Sequence, residues 1–342
     1  MTKVREFITR WDRPADRTWV ERDREAIVGA MRGSKRGTPK FRPFDMLAEP
    51  RQAQVLWQND DMRIGVESVV GAGPEFRRNC DYDELFFQFA GHTTLETEYG
   101  VFEMGPAELA LMPGGIAHRS SGDDNSLRLF ARLRYPVETL LGADQQVSHT
   151  EFDVVRSGGP AWSSPNGDTL GAQTTVRERL LFWDDPGGEG DLIERNYASM
   201  VGVATEGRGI QKLRAFDFFQ GITGRGGPGP KLYESPVFHV EVYNTEGEQR
   251  GFHRGLDDDE LWLQFRGDSA NESEFGVEHL GPGEMNHVPP GIAHRVTGGE
   301  GFLRLVLYSR QPWNLLVDPA QHAYTSSFEP RERVVQAAAW KS

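Results

Sequence analysis

The sequence predicts an all-β protein built from two tandem barrels with short flanking helices. Two observations carry this expectation. The first is an internal repeat. Residues 83–119, DELFFQFAGHTTLETEYGVFEMGPAELALMPGGIAHR, align without a gap to residues 259–295, DELWLQFRGDSANESEFGVEHLGPGEMNHVPPGIAHR, at an offset of 176. Weaker similarity runs outward at the same offset. DMRIGVES at 61–68 matches VFHVEVYN at 237–244, and Arg134 and Pro136 match Arg310 and Pro312. An ungapped match of this length marks a duplication. The second observation is the texture of each copy. FFQF, TLETEYGVFEM, ELALMP and LRLFARLRYP in the first, and WLQF, SEFGVEHL, EMNHVP and FLRLVLYSR in the second, are short β-rich segments separated by Gly and Pro. Short strands at regular spacing form a sandwich or barrel, so a duplicated unit predicts two small barrels.

The elements follow in chain order. Residues 1–56 read as an N-terminal arm. Within it DRTWVERDREAIVGAMR (16–32) places Trp19, Val20, Ile27, Val28 and Met31 at roughly helical spacing, which predicts a helix. The first barrel spans 57–136. A connector, 137–230, contains the strand candidate TTVRERLLFW (174–183) and ends in the Gly/Pro-rich GITGRGGPGPK (221–231), read as a loop at a pocket mouth. The second barrel spans 231–316. In the tail, 317–342, EPRERVVQAAAW (329–340) predicts a C-terminal helix.

Charge and composition exclude several function classes. The 342-residue chain carries a net charge of −13 with no long basic block, which disfavours nucleic acid and anionic lipid as partners. No apolar run is long enough to span a membrane. The charged N-terminus is unlike a signal peptide, and a cytoplasmic location is expected. One cysteine, Cys80, permits no intrachain disulfide. With nine histidines beside that single thiol, a metal site would be built from His and carboxylate. Such a site suits iron, manganese, nickel or zinc.

The stretch GFHRGLDDDELWLQFRG (251–267) contains His253 and Glu260, and His294 follows in the repeat's last segment. Side chains alternate along a strand, so Glu260, Trp262 and Gln264 share one face. If Glu260 points into the barrel, all three do. A histidine on the preceding strand and another on a strand paired across the barrel would then complete a set of two imidazoles and one carboxylate. The first repeat retains Glu84 and His118 but has Arg77 and Asn79 at the positions of His253 and Gly255. Arginine stays protonated and is a poor ligand. The first barrel is therefore expected to be a degenerate copy, with Glu84 paired to Arg77 or Arg78 and His118 a buried remnant. A second site or an allosteric pocket is the alternative.

These motifs resemble those of the cupin superfamily, whose fold is a double-stranded β-helix, or jelly-roll, barrel. His253, Gly255, Glu260 and Gly267 fall in the frame of the first cupin motif, with Gly255 replacing its second histidine. Gly283, Pro289, Gly291 and His294 fit the second motif, and Gly298 stands where an Asn is usual. The resemblance implies a bicupin, with His253, Glu260 and His294 as metal ligands. The chain is also similar to the homogentisate-dioxygenase-like and 3-hydroxyanthranilate-dioxygenase-like cupins. RRNCDYDE (77–84) and a histidine shortly before the last ligand carry that similarity. It implies a non-haem Fe(II) dioxygenase that cleaves the ring of a small phenolic aromatic with dioxygen, and, through cupin edge-strand pairing, a homodimer. A metal-dependent isomerase or lyase, a quercetinase-like oxygenase, and a non-catalytic small-molecule binder are the alternatives.

Further residues acquire candidate roles around that centre. His287 and His239 are candidate general bases. His279 and His322 are weaker candidates. Tyr243, Gln264 and Tyr308 are placed to hydrogen-bond an activated-oxygen species or an outer ligand nitrogen. Arg254, Arg295 and Arg304 are candidates for holding a substrate carboxylate, although Arg295 and Arg304 recur in the first repeat as Arg119 and Arg128, which favours a structural role. Trp262 is a candidate to stack on an aromatic ring.

Overall fold

A computed structural model gives the architecture and describes residues 2–12, 18–31, 38–135, 159–185, 190–200, 209–217, 231–244, 246–249, 251–312 and 314–316. The predicted C-terminal helix, His322 and residues 221–230 of the Gly/Pro-rich stretch lie outside these residues. The described chain is almost entirely β, and its only α-helical segments are the four-residue Arg24–Ile27 and Tyr197–Met200. No helix among the described residues is long and apolar enough to cross a membrane.

The chain divides into two compact units. One comprises Phe44–Ala215 and Tyr233–Ser235 and holds the first repeat. The other comprises Met1–Pro43, Phe216–Leu232 and Pro236–Ser342 and holds the second. Each unit is a pair of sheets enclosing a core. In the first unit, one sheet runs Gly100–Met104, Thr93–Thr97, Ala117–Gly122, Phe76–Asn79, Thr175–Leu181, Asp191–Asn196. Its facing sheet runs Gln211–Arg214, Glu108–Met112, Asp83–Ala90, Leu127–Leu133, Met62–Ser68, Ala53–Gln58. In the second unit, one sheet runs Thr18–Asp23, Lys3–Thr9, Phe252–Gly255, His294–Gly298, Ser269–Ser273, Gly276–Leu280. The other contains Phe238–Tyr243, Leu303–Ser309, Asp259–Arg266, Met285–Val288 and Lys40–Phe41. Both repeats thus build the same jelly-roll barrel, and the fold is two tandem cupin-type barrels.

Alternation explains the strands. In Asp259–Arg266, Trp262 joins the interior cluster of Phe275, Val288, Ile292, Val296, Phe302, Val306 and Tyr308, while Leu261 and Leu263 are buried on the opposite face. Two motif glycines have backbone reasons. Gly291 sits at φ 80. Gly267 sits at φ 66, and a Cβ there would meet the Glu300 carbonyl and the Phe302 nitrogen at 2.9 Å.

The expected helix over 16–32 is largely a strand. Thr18–Asp23 pairs antiparallel with Lys3–Thr9, placing Trp19 opposite Phe7 and Val20 opposite Glu6, and only Arg24–Ile27 is helical. The ladder available to this stretch outweighs its helical periodicity. Ile27 and Val28 are still buried, against Val4, Phe252 and Ala293. The strand candidate in the connector is observed as Thr175–Leu181.

The two barrels share a further feature. Lys3–Thr9 lies parallel to Phe252–Gly255, with Glu6 opposite Phe252 and Phe7 opposite His253. Thr175–Leu181 lies parallel to Phe76–Asn79, with Glu178 opposite Phe76 and Arg179 opposite Arg77. Each added strand is itself flanked by an antiparallel neighbour. The added strands also share a Val-Arg-Glu triplet, at 4–6 and 176–178.

Candidate metal centre

His253, Glu260 and His294 converge in the second barrel. One ligand atom from each lies within 4.8 Å of the other two. His253 and His294 are direct cross-strand partners, and their rings meet edge-on with centroids 5.2 Å apart. Glu260 approaches from the facing sheet. Its Oε1 lies 3.3 Å from His253 Nδ1 and its Oε2 lies 3.5 Å from His294 Nε2. The Trp262 indole N–H donates to Glu260 Oε2 at 2.9 Å.

Outer contacts fix the ring orientations. The Ile292 carbonyl, 3.1 Å from His294 Nδ1, can only accept, so that nitrogen carries the hydrogen and Nε2 is left with a lone pair facing Glu260. Thr9 Oγ1 lies 2.7 Å from His253 Nε2, and Phe7 stacks on the same imidazole at 5.0 Å. These partners leave His253 Nδ1 facing the centre. Neither Thr9 nor Phe7 was predicted, because both come from the N-terminal strand. Thr9→Val is expected to weaken divalent metal binding about 10- to 100-fold, the usual cost of losing an outer hydrogen bond to a ligand histidine. A competitive chelator titration measures this, and an unchanged affinity would remove Thr9 from the site.

The electrostatics suit a cation. Burial opposes ionisation of Glu260, but His294, His253 and the Trp262 N–H outweigh it and hold the carboxyl at about 2. Burial lowers His294 to about 4 despite Glu260. Burial also pulls His253 down, yet the hydrogen bond and charge of Glu260 leave it raised. At neutral pH the site therefore presents a carboxylate and a neutral His294, and at His253, where Glu260 favours the protonated ring, a metal would compete with protons. A side chain at residue 255 has no room: a Cβ on Gly255 would lie 2.1 Å from Asp258 Oδ1. The Asp258 carboxyl thus lies against the position from which a second motif histidine would project.

Most of the other predicted residues share the interior face with Glu260. Tyr308 is opposite both Glu260 and His239, and Arg304 is opposite both Gln264 and Tyr243. His239 stacks on Tyr308 at 4.3 Å and packs against Trp11 at 4.7 Å. Burial, then Lys231, lowers His239 to about 3, so it is neutral. Beside it lies Glu241, which alternation places on one face with His239 and Tyr243 but to which the sequence reading gives no role. Burial raises Glu241 to about 7. The Tyr243 hydroxyl donates to Glu241 Oε2 at 2.9 Å and lies 2.8 Å from the Tyr308 hydroxyl. Arg304 is 1% exposed, lies over the Trp262 ring at 4.3 Å, and donates to Gln264 Oε1 and, at 2.6 Å, to Ser269 Oγ.

Four expectations are corrected. His287 is opposite Leu261, not Glu260, so it occupies the outer face of its strand, 3.0 Å from Asp259 Oδ1. It cannot serve the centre as a base. Arg254 and Arg295 each follow a ligand histidine by one residue, and alternation turns them away. Arg254 is held by Glu6, Glu274 and the Gly291 carbonyl. Arg295 is held by Glu272 and Glu248. Gln264 is saturated: its amide N–H groups donate to the Arg266 and Gly267 carbonyls, while its oxygen accepts from Ser269 and Arg304. It positions Arg304 and has no donor left for substrate. His279, the weaker candidate, is exposed on the outer sheet.

In the first barrel a guanidinium and an amide meet the equivalent carboxylate. Arg132 donates to Glu84 Oε1 at 2.9 Å and Asn79 to Oε2 at 2.9 Å, with His118 3.8 Å away. Arg132 occupies the repeat position of Tyr308. Glu84 therefore pairs with Arg132, not with Arg77 or Arg78 as expected. His118 keeps its Nδ1 contact to the Ile116 carbonyl and is buried, as expected of a remnant. Arg78 repeats the Arg254 clamp, held by Glu98, Glu178 and the Gly115 carbonyl.

No protein-family model and no curated protein sequence matches the chain. Solved structures do resemble it. A cupin 2 conserved barrel domain protein from Leptotrichia buccalis aligns over 80% of this chain and 98% of its own at 12% identity and a TM-score of 0.46. The manganese-containing oxalate decarboxylase of Bacillus subtilis aligns over 84% of this chain and 81% of its own at 12% identity and a TM-score of 0.45. A putative glyoxylate-induced protein from Pseudomonas aeruginosa aligns over 83% and 93% at 11% identity and a TM-score of 0.45. The strand order within each unit, together with the repeated motif frame, makes the chain a bicupin by fold.

Proposed function

We propose that the second barrel holds one divalent metal through His253 Nδ1, a Glu260 oxygen and His294 Nε2, and that the protein is an iron(II)-dependent dioxygenase cleaving the ring of a phenolic aromatic. The convergence of these three donors is the observation that carries the reading. Two imidazoles and one carboxylate are an N/O set suited to iron, with manganese, nickel or zinc as competitors, and leave coordination positions open. When bound, such a metal supplies the one-electron route between an aromatic and dioxygen.

The chain's own residues divide the remaining work. Glu241, with a pKa matched to neutral pH, accepts the phenolic proton, and the Tyr243 and Tyr308 hydroxyls connect it to the Glu260 face. Arg304 binds an anionic substituent. Its counterpart Arg128 has a carboxylate partner, Glu67 at 2.5 Å, whereas the repeat position of Glu67 is Tyr243 in the second barrel. Arg304 has no carboxylate partner among the described residues. The Trp262 ring gives an aromatic substrate a flat neighbour. The overall reaction breaks one ring C–C bond and incorporates both oxygen atoms.

Anaerobic loading with Fe(II), followed by oxygen-electrode assays with homogentisate, gentisate and 3-hydroxyanthranilate, tests this reading. Uptake of one dioxygen per substrate consumed supports it. A second reading, a metal-dependent lyase or isomerase, is favoured by the protonated fraction of Glu241, which can return a proton to carbon without oxygen. Metal-dependent turnover in the absence of oxygen would select it.

Glu241→Gln gives a separate test. A base must be deprotonated to act, so the rate rises with pH as Glu241 ionises through about 7. The substitution is expected to lower kcat/KM roughly 100-fold or more and to erase that limb of the profile, leaving metal content intact. A retained limb would assign the ionisation elsewhere.

A further inference from the structure

The first barrel contains a cavity of about 50 Å³ where the second barrel gathers its donors, since Arg77, Glu84 and His118 line it. Its charge is inverted. Five guanidiniums line it, from Arg51, Arg77, Arg119, Arg128 and Arg132, against three carboxylates, from Glu67, Glu75 and Glu84. Arg128 pairs with Glu67 and Arg132 with Glu84. Arg119 is neutralised by Glu96 and Asp168, and Glu75 by Arg177 and Arg179, all outside the cavity. Two cations remain. Arg51 reaches only the Gly71 and Ser120 carbonyls, at 2.7 and 3.3 Å. Arg77, exposed on its strand, has no hydrogen bond or ion pair among the described residues. A third group also waits for a partner: Arg128 Nη1 is buried and makes no hydrogen bond. Burial and the nearby charges of Arg77 and Arg128 depress Arg51, outweighing the opposing pull of Glu67, which is itself paired with Arg128.

We infer that the first barrel binds a compact oxyanion carrying two negative charges, of the inorganic phosphate or short dicarboxylate class, between Arg51, Arg77 and Arg128. Planar guanidiniums match such groups through paired hydrogen bonds. The volume, a few water-sized spheres, takes a small ion and leaves no room for an aromatic ring. Two unneutralised cations call for two charges. The site does not depend on a metal in the second barrel.

Calorimetric titration of the full chain with sodium phosphate, malonate and acetate tests this. Phosphate or malonate is expected to bind once per chain with a Kd below about 1 mM, more weakly as salt rises. Saturation by one of the two dianions and not the other assigns the class. Arg77→Ala is expected to weaken binding about 10- to 100-fold without changing the ligand-free melting temperature, because Arg77 is exposed and unpartnered. His253→Ala is expected to leave anion binding unchanged. The inference is overturned by no saturable binding of either dianion up to roughly 10 mM, by full affinity in Arg77→Ala, by acetate binding as tightly as the dianions, or by loss of binding in His253→Ala.

Discussion

Glu260→Gln is expected to remove bound metal and turnover together. The substitution keeps the side chain's size and the oxygen that accepts the Trp262 N–H, but it removes the anion that His253 and His294 face at 3.3 and 3.5 Å. A divalent cation would then meet two neutral imidazoles and an amide. Loss of an outer hydrogen bond alone costs up to about 100-fold in affinity, so loss of the charged ligand is expected to exceed that. Competitive chelator titration reads the change. The matched control is Glu84→Gln in the first barrel, where Arg132 and Asn79 already satisfy the carboxylate. That variant is expected to keep full metal content. Equal metal content in both variants would place the metal elsewhere.

The second large effect is on stability. Arg254→Ala is expected to destabilise the fold by about 3–5 kcal/mol, the range for leaving buried charges without their partner. Glu274, 9% exposed, loses its cation, Glu6, 1% exposed, keeps only the half-exposed Arg22 at 3.1 Å, and the Gly291 carbonyl loses a donor. Lysine does not rescue this, because three acceptors in different directions need the guanidinium fork. Urea unfolding measures the change. A substrate-binding arginine would behave differently, raising KM at unchanged stability. A loss below about 1 kcal/mol, the scale of an exposed pair, would contradict the structural role. Arg78→Ala in the first barrel is expected to match it, since Glu98 and Glu178 repeat the clamp.

The convergence of His253, Glu260 and His294 was legible through their place in motif frames that resemble those of the cupin superfamily. His253, Glu260 and His294 needed only strand alternation and a paired strand to meet. Alternation alone also predicts that Arg254 and Arg295 turn away from the centre, because each adjoins a ligand on its strand. The same rule exposes Glu241 between His239 and Tyr243. His287 is different. Whether it faces Glu260 or Leu261 depends on a one-residue register between two strands, which spacing along one strand does not specify. The N-terminal strand was hidden for a topological reason. It precedes the first repeat in the chain yet pairs beside His253, and its helical periodicity conceals the hairpin. The Val-Arg-Glu triplet at 4–6, repeated at 176–178, was the available signal, at an offset of 172 in place of 176. The divergence of the first barrel was partly legible. Arg77 for His253 is visible in the sequence, whereas the capture of Glu84 by Arg132 requires the fold.

The second barrel is expected to bind one divalent metal and the first barrel none. Metal content by mass spectrometry, on protein purified without chelator or immobilised nickel and then loaded with Fe(II), tests this most directly. One metal per chain, lost in His294→Ala and retained in His118→Ala, is the predicted result. No metal after loading, or a metal that survives His294→Ala, would contradict it.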